Sequence, residues 1–266
     1  MSHYKDLEEI AKKIRQLIIL MLLKAGSGHP AGALGLADIF AYLYFKYLRL
    51  NPKNPQDPTR DLLFLSNGHT CPVLYASLAL KGFFPPKMLG SLRSLGSPLE
   101  GHPIFGLLPG VENTSGPLGQ GLSQAIGSAL VHSQRVVCIV SDGELQEGQT
   151  WEALMFAGNN RIKNLTIVID RNNIQITGST ENVQPLEPLK SKLESFNLVT
   201  YEIDGNNFAQ IEEVFKKREV IDKTVVIIAN TIAGKGVSFM EGNFEWHGKS
   251  LDTEDAKEAL AELKSL

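Results

Sequence analysis

Five short apolar segments, each bounded by turn residues and separated from the next by a helical pattern, dominate this sequence. They run over 61–65, 136–140, 165–169, 198–203 and 224–229. Strands that are apolar throughout, rather than alternating with polar residues, are buried on both faces, and intervening helices supply the cover. Helical patterns occupy 73–81, 118–132, 150–159, 208–218 and 253–263, with two more at 7–24 and 36–47. The order predicts an α/β fold, a doubly wound parallel sheet flanked by helices, as a single domain over residues 1–266. In such sheets ligands gather beyond the carboxyl ends of the strands.

Composition narrows the class. A chain of 266 residues with 43% hydrophobic and 21% charged content can bury a sizeable core. The net charge of −3 and the lack of a basic run argue against a nucleic-acid partner. Cys71 and Cys138 lie far apart in apolar surroundings, which is neither a zinc pattern nor a disulfide framework and suits a reducing, cytoplasmic setting. Lys12, Lys13 and Arg15 before the apolar run 17–23 mimic a secretory signal. Asp6, Glu8, Glu9 and Lys24 contradict it, and Leu7, Ile10, Ile14, Leu17 and Met21 recur at helical spacing. The run is also far short of the roughly 20 residues a membrane span needs.

Two strand ends carry chemistry. Segment 136–140 is followed by Ser141-Asp142-Gly143, and 165–169 by Asp170-Arg171-Asn172-Asn173-Ile174. Neighbouring parallel strands bring a carboxylate and an amide side by side. Mg²⁺ takes near-octahedral oxygen ligands, commonly one or two protein oxygens plus phosphates. Asp142, the Asn172 side-chain oxygen and a nearby backbone carbonyl fit that need, and Gly143 lets backbone approach a diphosphate. Asp-Gly and Asn-Asn are each common turns; their joint placement after two strands is what points to a site.

Four of the six histidines fall in glycine-rich loops: His29, His69, His102 and His247. Imidazoles there can donate to phosphate and sugar oxygens and shuttle protons near neutral pH. His3 and His132 have no such setting and read as surface residues. Segment 82–116 has little strand or helix signal, and a loop that long in a compact domain tends to be functional.

The stretch 141–178, with SDGELQEG and DRNNIQITG, resembles the thiamine diphosphate motif as it stands in transketolases, although Ser141 replaces the usual glycine. SGHPAGALGLADI, SNGH, LEGHP and TSGPLGQGLS follow the same family's order. The resemblance implies thiamine diphosphate with Mg²⁺, or Ca²⁺ or Mn²⁺ in its place. Asp142, Asn172 and the Ile174 carbonyl become metal ligands; the spacing to Gly178 favours Asn172 over Asn173. His69, Gly116, Leu118, Asp142, Gly143, Glu144, Asn172 and His247 become cofactor-binding, and His29, His102 and His247 catalytic. Lys235 could pair with a phosphate or be a solvated loop lysine. Glu147 and Glu152 resemble dimer-interface acids, and unaided would read as acids near a helix N-terminus.

The resemblance covers the first of three transketolase domains. A glutamate from the second domain engages the aminopyrimidine ring in that family, and no segment here matches it. The implied partner is a C-terminal transketolase subunit carrying the pyrimidine-binding domain, in a heterotetramer of two copies each. The implied reaction transfers a two-carbon ketol group between sugar phosphates, as in the pentose phosphate pathway. The neat end on 253–263 fits a natural subunit or a cut at a domain boundary. Two rivals stay open: the diphosphate-binding subunit of a 2-oxo acid dehydrogenase or deoxyxylulose-phosphate synthase relative, and a non-catalytic cofactor-binding protein.

Overall fold

Five strands align in parallel, in the order β1 (Leu62–Leu65), β2 (Val136–Ser141), β3 (Leu165–Arg171), β7 (Val225–Asn230), β6 (Val199–Asp204), in a computed structural model that describes residues 4–265. The expectation for His3 lies outside the described residues. Alternate strand residues point to opposite faces. Val137, Ile139 and Val168 join one apolar cluster, and Val136, Cys138 and Val140 join the other. The first cluster is covered by α1 (Lys5–Ala25), α3 (Ala37–Tyr42), α4 (Cys71–Lys81), α9 (Phe208–Arg218) and α10 (Thr253–Ser265). The second is covered by α5 (Gln120–Val131), α6 (Gly148–Asn160) and α8 (Leu189–Ser195). Helices on both faces explain why the strands read as uninterrupted apolar runs. Each fully buried aliphatic side chain contributes about 1.5–3 kcal/mol, so Ile139 cut to Ala costs roughly 2–5 kcal/mol.

Segment 7–24 is a helix whose face of Leu7, Ile14, Ile18 and Leu22 is buried in the core. Gly26 stops it in the left-handed conformation, φ 65°, donating to Leu22 and Leu23. Arg15 on this helix forms a buried two-point ion pair with Asp38 (3.1 and 2.6 Å), and Asn206 donates to the same carboxylate at 2.7 Å. The expected helix 36–47 is divided. Pro30 opens a short α2 (Pro30–Gly35), and α3 runs on as a π-helical turn over Leu43–Tyr47. Thr180–Val183 (α7) and Leu189–Ser195 (α8) form helices in a stretch where none was expected, and β4 (Ile174–Gln175) pairs antiparallel with β5 (Gly178–Ser179).

Segment 82–116 holds one 3₁₀ turn, Pro86–Ser91, and is otherwise irregular. It is tied to the edge strand β1. Asn113 accepts from the Leu65 N–H (3.1 Å) and donates to the Leu65 carbonyl (3.2 Å), imitating a paired strand. Glu112 pairs with Arg60 at 2.5 and 2.9 Å. No helix among the described residues is long and apolar enough to cross a membrane.

Candidate active site

The β2–β3 register sets Ser141 opposite Asp170, so the chain leaves both strands at one level and brings 142 and 172 together. Asp142 is fully buried rather than solvent-facing. Its Oδ1 accepts from the Gly143 N–H (2.8 Å), and its Oδ2 accepts from the Asn173 N–H (2.7 Å) and Arg171 Nη1 (3.2 Å). Burial pushes its pKa up to about 6, against the pull of these donors. Asn172 is locked at both ends: its amide donates to Asp170 (2.8 Å) and its oxygen accepts from the Ile174 N–H (3.1 Å). Asp170 is buried, its pKa raised to about 7 by desolvation, and Thr231 donates to it. Asn172 and Asn173 are placed differently. Asn172 lines the cleft, whereas Asn173 is exposed in a left-handed turn, φ 64°.

Above these strand ends opens a cleft of about 460 Å³. His29, His69, His102 and His247 line it, with Gly116 and Leu118, and so do Gly143, Asn172 and Ile174. Three imidazoles form a triangle, with ring centres 5.2 Å (His29–His69), 5.4 Å (His29–His247) and 5.2 Å (His69–His247) apart. Each arrives on a separate turn. His69 rides the 3₁₀ turn Gly68–Thr70 beyond β1, His29 precedes Pro30 of α2, and His247 closes the 3₁₀ turn Phe244–His247. Gly68 is required there, because a Cβ would sit 2.4 Å from Ser115 Oγ and 2.9 Å from the Gly116 nitrogen. His102 packs on Gly116, whose φ of 139° suits glycine; a Cβ there would touch the ring at 3.4 Å. Cys71 and Tyr75 donate to the Gly101 and Glu100 carbonyls (3.2 and 2.9 Å), fixing the loop that carries His102. The exposed His132 lies on the surface, as expected.

Desolvation lowers the basicity of all four cleft histidines, His29 to about 4 and His69 well below its ordinary value. Mutual repulsion adds to the effect at His29 and His69. They are neutral imidazoles at pH 7, each with one donor and one acceptor nitrogen.

Glu144 is not among the residues that line the cleft. Its carboxylate is buried and accepts from Ser66 (2.5 Å), the Gly119 N–H (2.6 Å) and the Ser141 N–H (3.3 Å), so it braces three cleft-bordering segments from behind. Lys235 faces away, 3.8 Å from Glu241, and lines a separate surface cleft with Asp38 and Phe208. Glu147 is exposed and borders the histidine cleft, while Glu152 is exposed on α6. Sequence reasoning missed Arg171. Arg171 binds Asp142, Thr180 (2.7 Å), Glu181 (2.7 Å) and Glu187 (3.1 Å), pinning the 172–187 segment to the strand end. Its position between Asp170 and Asn172 was the available signal.

The residues fit a metal–diphosphate group. Asp142 keeps lone pairs beyond those its donors use, and Asn172 presents a second oxygen beside it. His29 Nδ1 and Ser115 Oγ are buried with no hydrogen-bond partner among the described residues, so the cleft has unmet polar capacity. Among the described residues no three His, Cys, Asp or Glu side chains gather as a metal site, so a metal here would need amide, carbonyl and phosphate oxygens besides the Asp142 carboxylate.

A parallel α/β domain with oxygen donors at the ends of adjacent central strands, under a ring of neutral histidines, defines a class of phosphate-handling, cofactor-dependent proteins. Comparison with known proteins narrows it. Residues 7–264 match the family described as "Transketolase, thiamine diphosphate binding domain", and the chain belongs to that family. It is 42% identical over 265 residues to the 6-deoxy-6-sulfo-D-fructose transketolase subunit SqwG of Clostridium sp. (strain MSTE9), covering 97% of this chain and 96% of that one. It is 36% identical to one of the subunits of the apulose-4-phosphate transketolase of Actinobacillus succinogenes, over 98% of this chain and 97% of that relative. The solved transketolase of Campylobacter jejuni superposes with a TM-score of 0.92 at 34% identity, over 99% of this chain but 43% of that one. These matches support transketolase over the dehydrogenase, synthase and non-catalytic readings.

Proposed function

We propose that this chain is the diphosphate-binding subunit of a two-polypeptide transketolase that moves a two-carbon ketol unit from a ketose phosphate to an aldose phosphate. The observation that carries this reading is the meeting of His29, His69 and His247 over a cleft bordered by Asn172, with Asp142 buried behind it. Asp142, the Asn172 oxygen and the Ile174 carbonyl would hold Mg²⁺, and Gly116, Leu118, Gly143 and His69 would border the diphosphate. Bound thiamine diphosphate supplies the electron sink needed to break a carbon–carbon bond beside a carbonyl. His29, His102 and His247 bind the donor's hydroxyls and hold or pass their protons; neutral imidazoles suit both tasks.

The separate-partner reading rests on relatives that are named as subunits and on the surface. Relatives named as subunits are covered along 96% and 97% of their chains, whereas mouse transketolase is covered along 42%. Around the cleft and on α6, Ile176, Met155 and Phe156 are exposed at 73%, 54% and 46%, beside Glu147 and Glu152. Such a mixed apolar and acidic face suits a partner bearing the pyrimidine-binding domain, in a heterotetramer of two copies each. The two free, buried cysteines suit a cytoplasmic setting, and sugar-phosphate substrates suit pentose phosphate metabolism.

The test is reconstitution with a pyrimidine-domain polypeptide from the same cells, assayed with thiamine diphosphate and Mg²⁺. Ketose-to-aldose transfer is expected. Turnover of a 2-oxo acid alone, or of neither substrate, overturns the proposal.

A further inference from the structure

We propose that the polar cavity beneath the amino ends of the strands is a second binding site, for a phosphate group that is either free or carried by a small molecule. The cavity measures about 340 Å³ and lies at the opposite end of the sheet from the histidines. Arg135 immediately precedes β2 and Asp142 immediately follows it, so roughly 20 Å of strand separates the two regions. The two clefts share no lining residue.

Four cations line this cavity: Arg49, Arg135, Lys163 and Arg218. Two of them are matched. Asp61, fully buried, pairs with Arg49 at 2.8 Å and lies 3.5 Å from Arg135, whose other nitrogen pairs with Glu219 at 2.8 Å. Glu219 is committed further, since the Tyr47 hydroxyl donates to it at 2.8 Å. Lys163 and Arg218 have no carboxylate within ion-pair distance among the described residues, although Asp222 also lines the cavity.

Arg218 decides the reading. It is 6% exposed, at the end of α9, and among the described residues its guanidinium donates to uncharged oxygens alone. These are Thr166 Oγ1 (2.7 Å) and the carbonyls of Ile221 (3.0 Å), Leu165 (3.4 Å) and Lys163. The other two buried arginines, Arg15 and Arg171, each hold a carboxylate. Carbonyls satisfy N–H groups but bring no countercharge, and a charge withdrawn from water costs free energy unless an opposite charge meets it. Desolvation lowers the basicity of Arg218, and Tyr47 and Glu219 offset part of that. A guanidinium nevertheless keeps its proton, so the positive charge stays.

The surroundings suit a phosphate. The four bonds of Arg218 use four of its five N–H groups. Lys163, whose carbonyl Arg218 holds, is itself exposed and adds an ammonium to the same cavity. A buried guanidinium and an ammonium together match the charge of a phosphate dianion. The walls are fixed: Asn164 donates to the His132 and Gln134 carbonyls (2.8 and 2.9 Å), and Arg135 packs 4.6 Å from the centre of the Tyr47 ring. The volume also leaves room for a small body attached to the phosphate.

The experiment is calorimetry on the full chain with saturating thiamine diphosphate and Mg²⁺, which keep the histidine cleft out of play. Inorganic phosphate and glycerol 3-phosphate are titrated, with sodium chloride at matched ionic strength as the blank. One site per chain is expected for at least one probe. Lys163→Glu, a change at an exposed side chain, is expected to weaken that binding by about 10-fold or more and to leave thiamine diphosphate affinity unchanged. Arg218→Gln is expected to abolish it; should that variant fail to fold, Lys163→Glu decides alone. Tighter binding of glycerol 3-phosphate identifies an ester as the occupant, and equal or tighter binding of inorganic phosphate identifies the free anion. No binding beyond the blank, or phosphate affinity that Lys163→Glu leaves unchanged, overturns the proposal.

Discussion

Arg171 Nη1 lies 3.2 Å from Asp142 Oδ2, with the two side chains 4% and 1% exposed, so the carboxylate proposed as a metal ligand is already half of a buried ion pair. Asp142 answers to a neighbouring strand end before any metal arrives. Arg171 in turn answers to Thr180, Glu181 and Glu187. Arg171→Met should therefore act on both stability and the site. It leaves a buried carboxylate unpaired, at about 3–5 kcal/mol, and frees the 172–187 segment. Denaturant unfolding gives the first quantity, and protease sensitivity near Glu181 the second. A variant as stable as the parent contradicts the account.

Asp142→Ala should abolish metal-dependent cofactor binding while the domain still folds. Glu181 and Glu187 remain to pair Arg171, so the substitution does not strand its charge. The loss should exceed the 10- to 100-fold that removal of an outer-shell partner costs. Calorimetry on the reconstituted pair measures it, and unchanged affinity removes Asp142 from the metal site.

His102→Ala should lower kcat and kcat/KM together, with cofactor affinity changed little, because a contact made to the reacting centre acts in the transition state. Steady-state kinetics beside cofactor titration separates the two. A rise confined to the apparent cofactor constant would make His102 a diphosphate contact.

The histidine ring should make the fold acid-sensitive. His29 titrates at about 4 in the folded chain against an ordinary 6.5, so between those values the unfolded chain holds the extra proton. The stabilisation is fully present above 6.5 and is lost as pH falls toward 4. Comparing denaturant unfolding of the parent with His29→Gln at pH 7.5 and pH 5 isolates the contribution. The parent should lose on the order of 1 kcal/mol more than the variant on acidification. Equal losses show that His29 is not held neutral by the fold.

The isolated chain should show no ketol transfer even with saturating thiamine diphosphate and Mg²⁺. His29, His69, His102 and His247 wall one side of an open cleft, and exposed Ile176 borders it. Robust turnover without a partner polypeptide would remove the two-subunit proposal.

Much of this was legible in the chain, for definable reasons. The strands announced themselves because Val136–Ser141 and Leu165–Arg171 are buried on both faces and so carry no polar interruptions. Asp142 and Asn172 were found because a parallel crossover brings consecutive strand ends together. The four histidines were found because glycine neighbours mark tight turns. Partnerships between distant polar groups left no such mark. Nothing periodic links Glu144 to Ser66 and Gly119, or Arg15 to Asp38 and Asn206, so these buried braces could not be read from the sequence.

The Glu144 brace has a consequence for how such an enzyme can be divided between genes. One internal carboxylate ties together the turn after β1, the entry to α5 and the turn after β2. These three borders of the cleft are thus held together from within the chain. If the remaining walls come from a second polypeptide, as proposed, this side of the site would need docking rather than refolding.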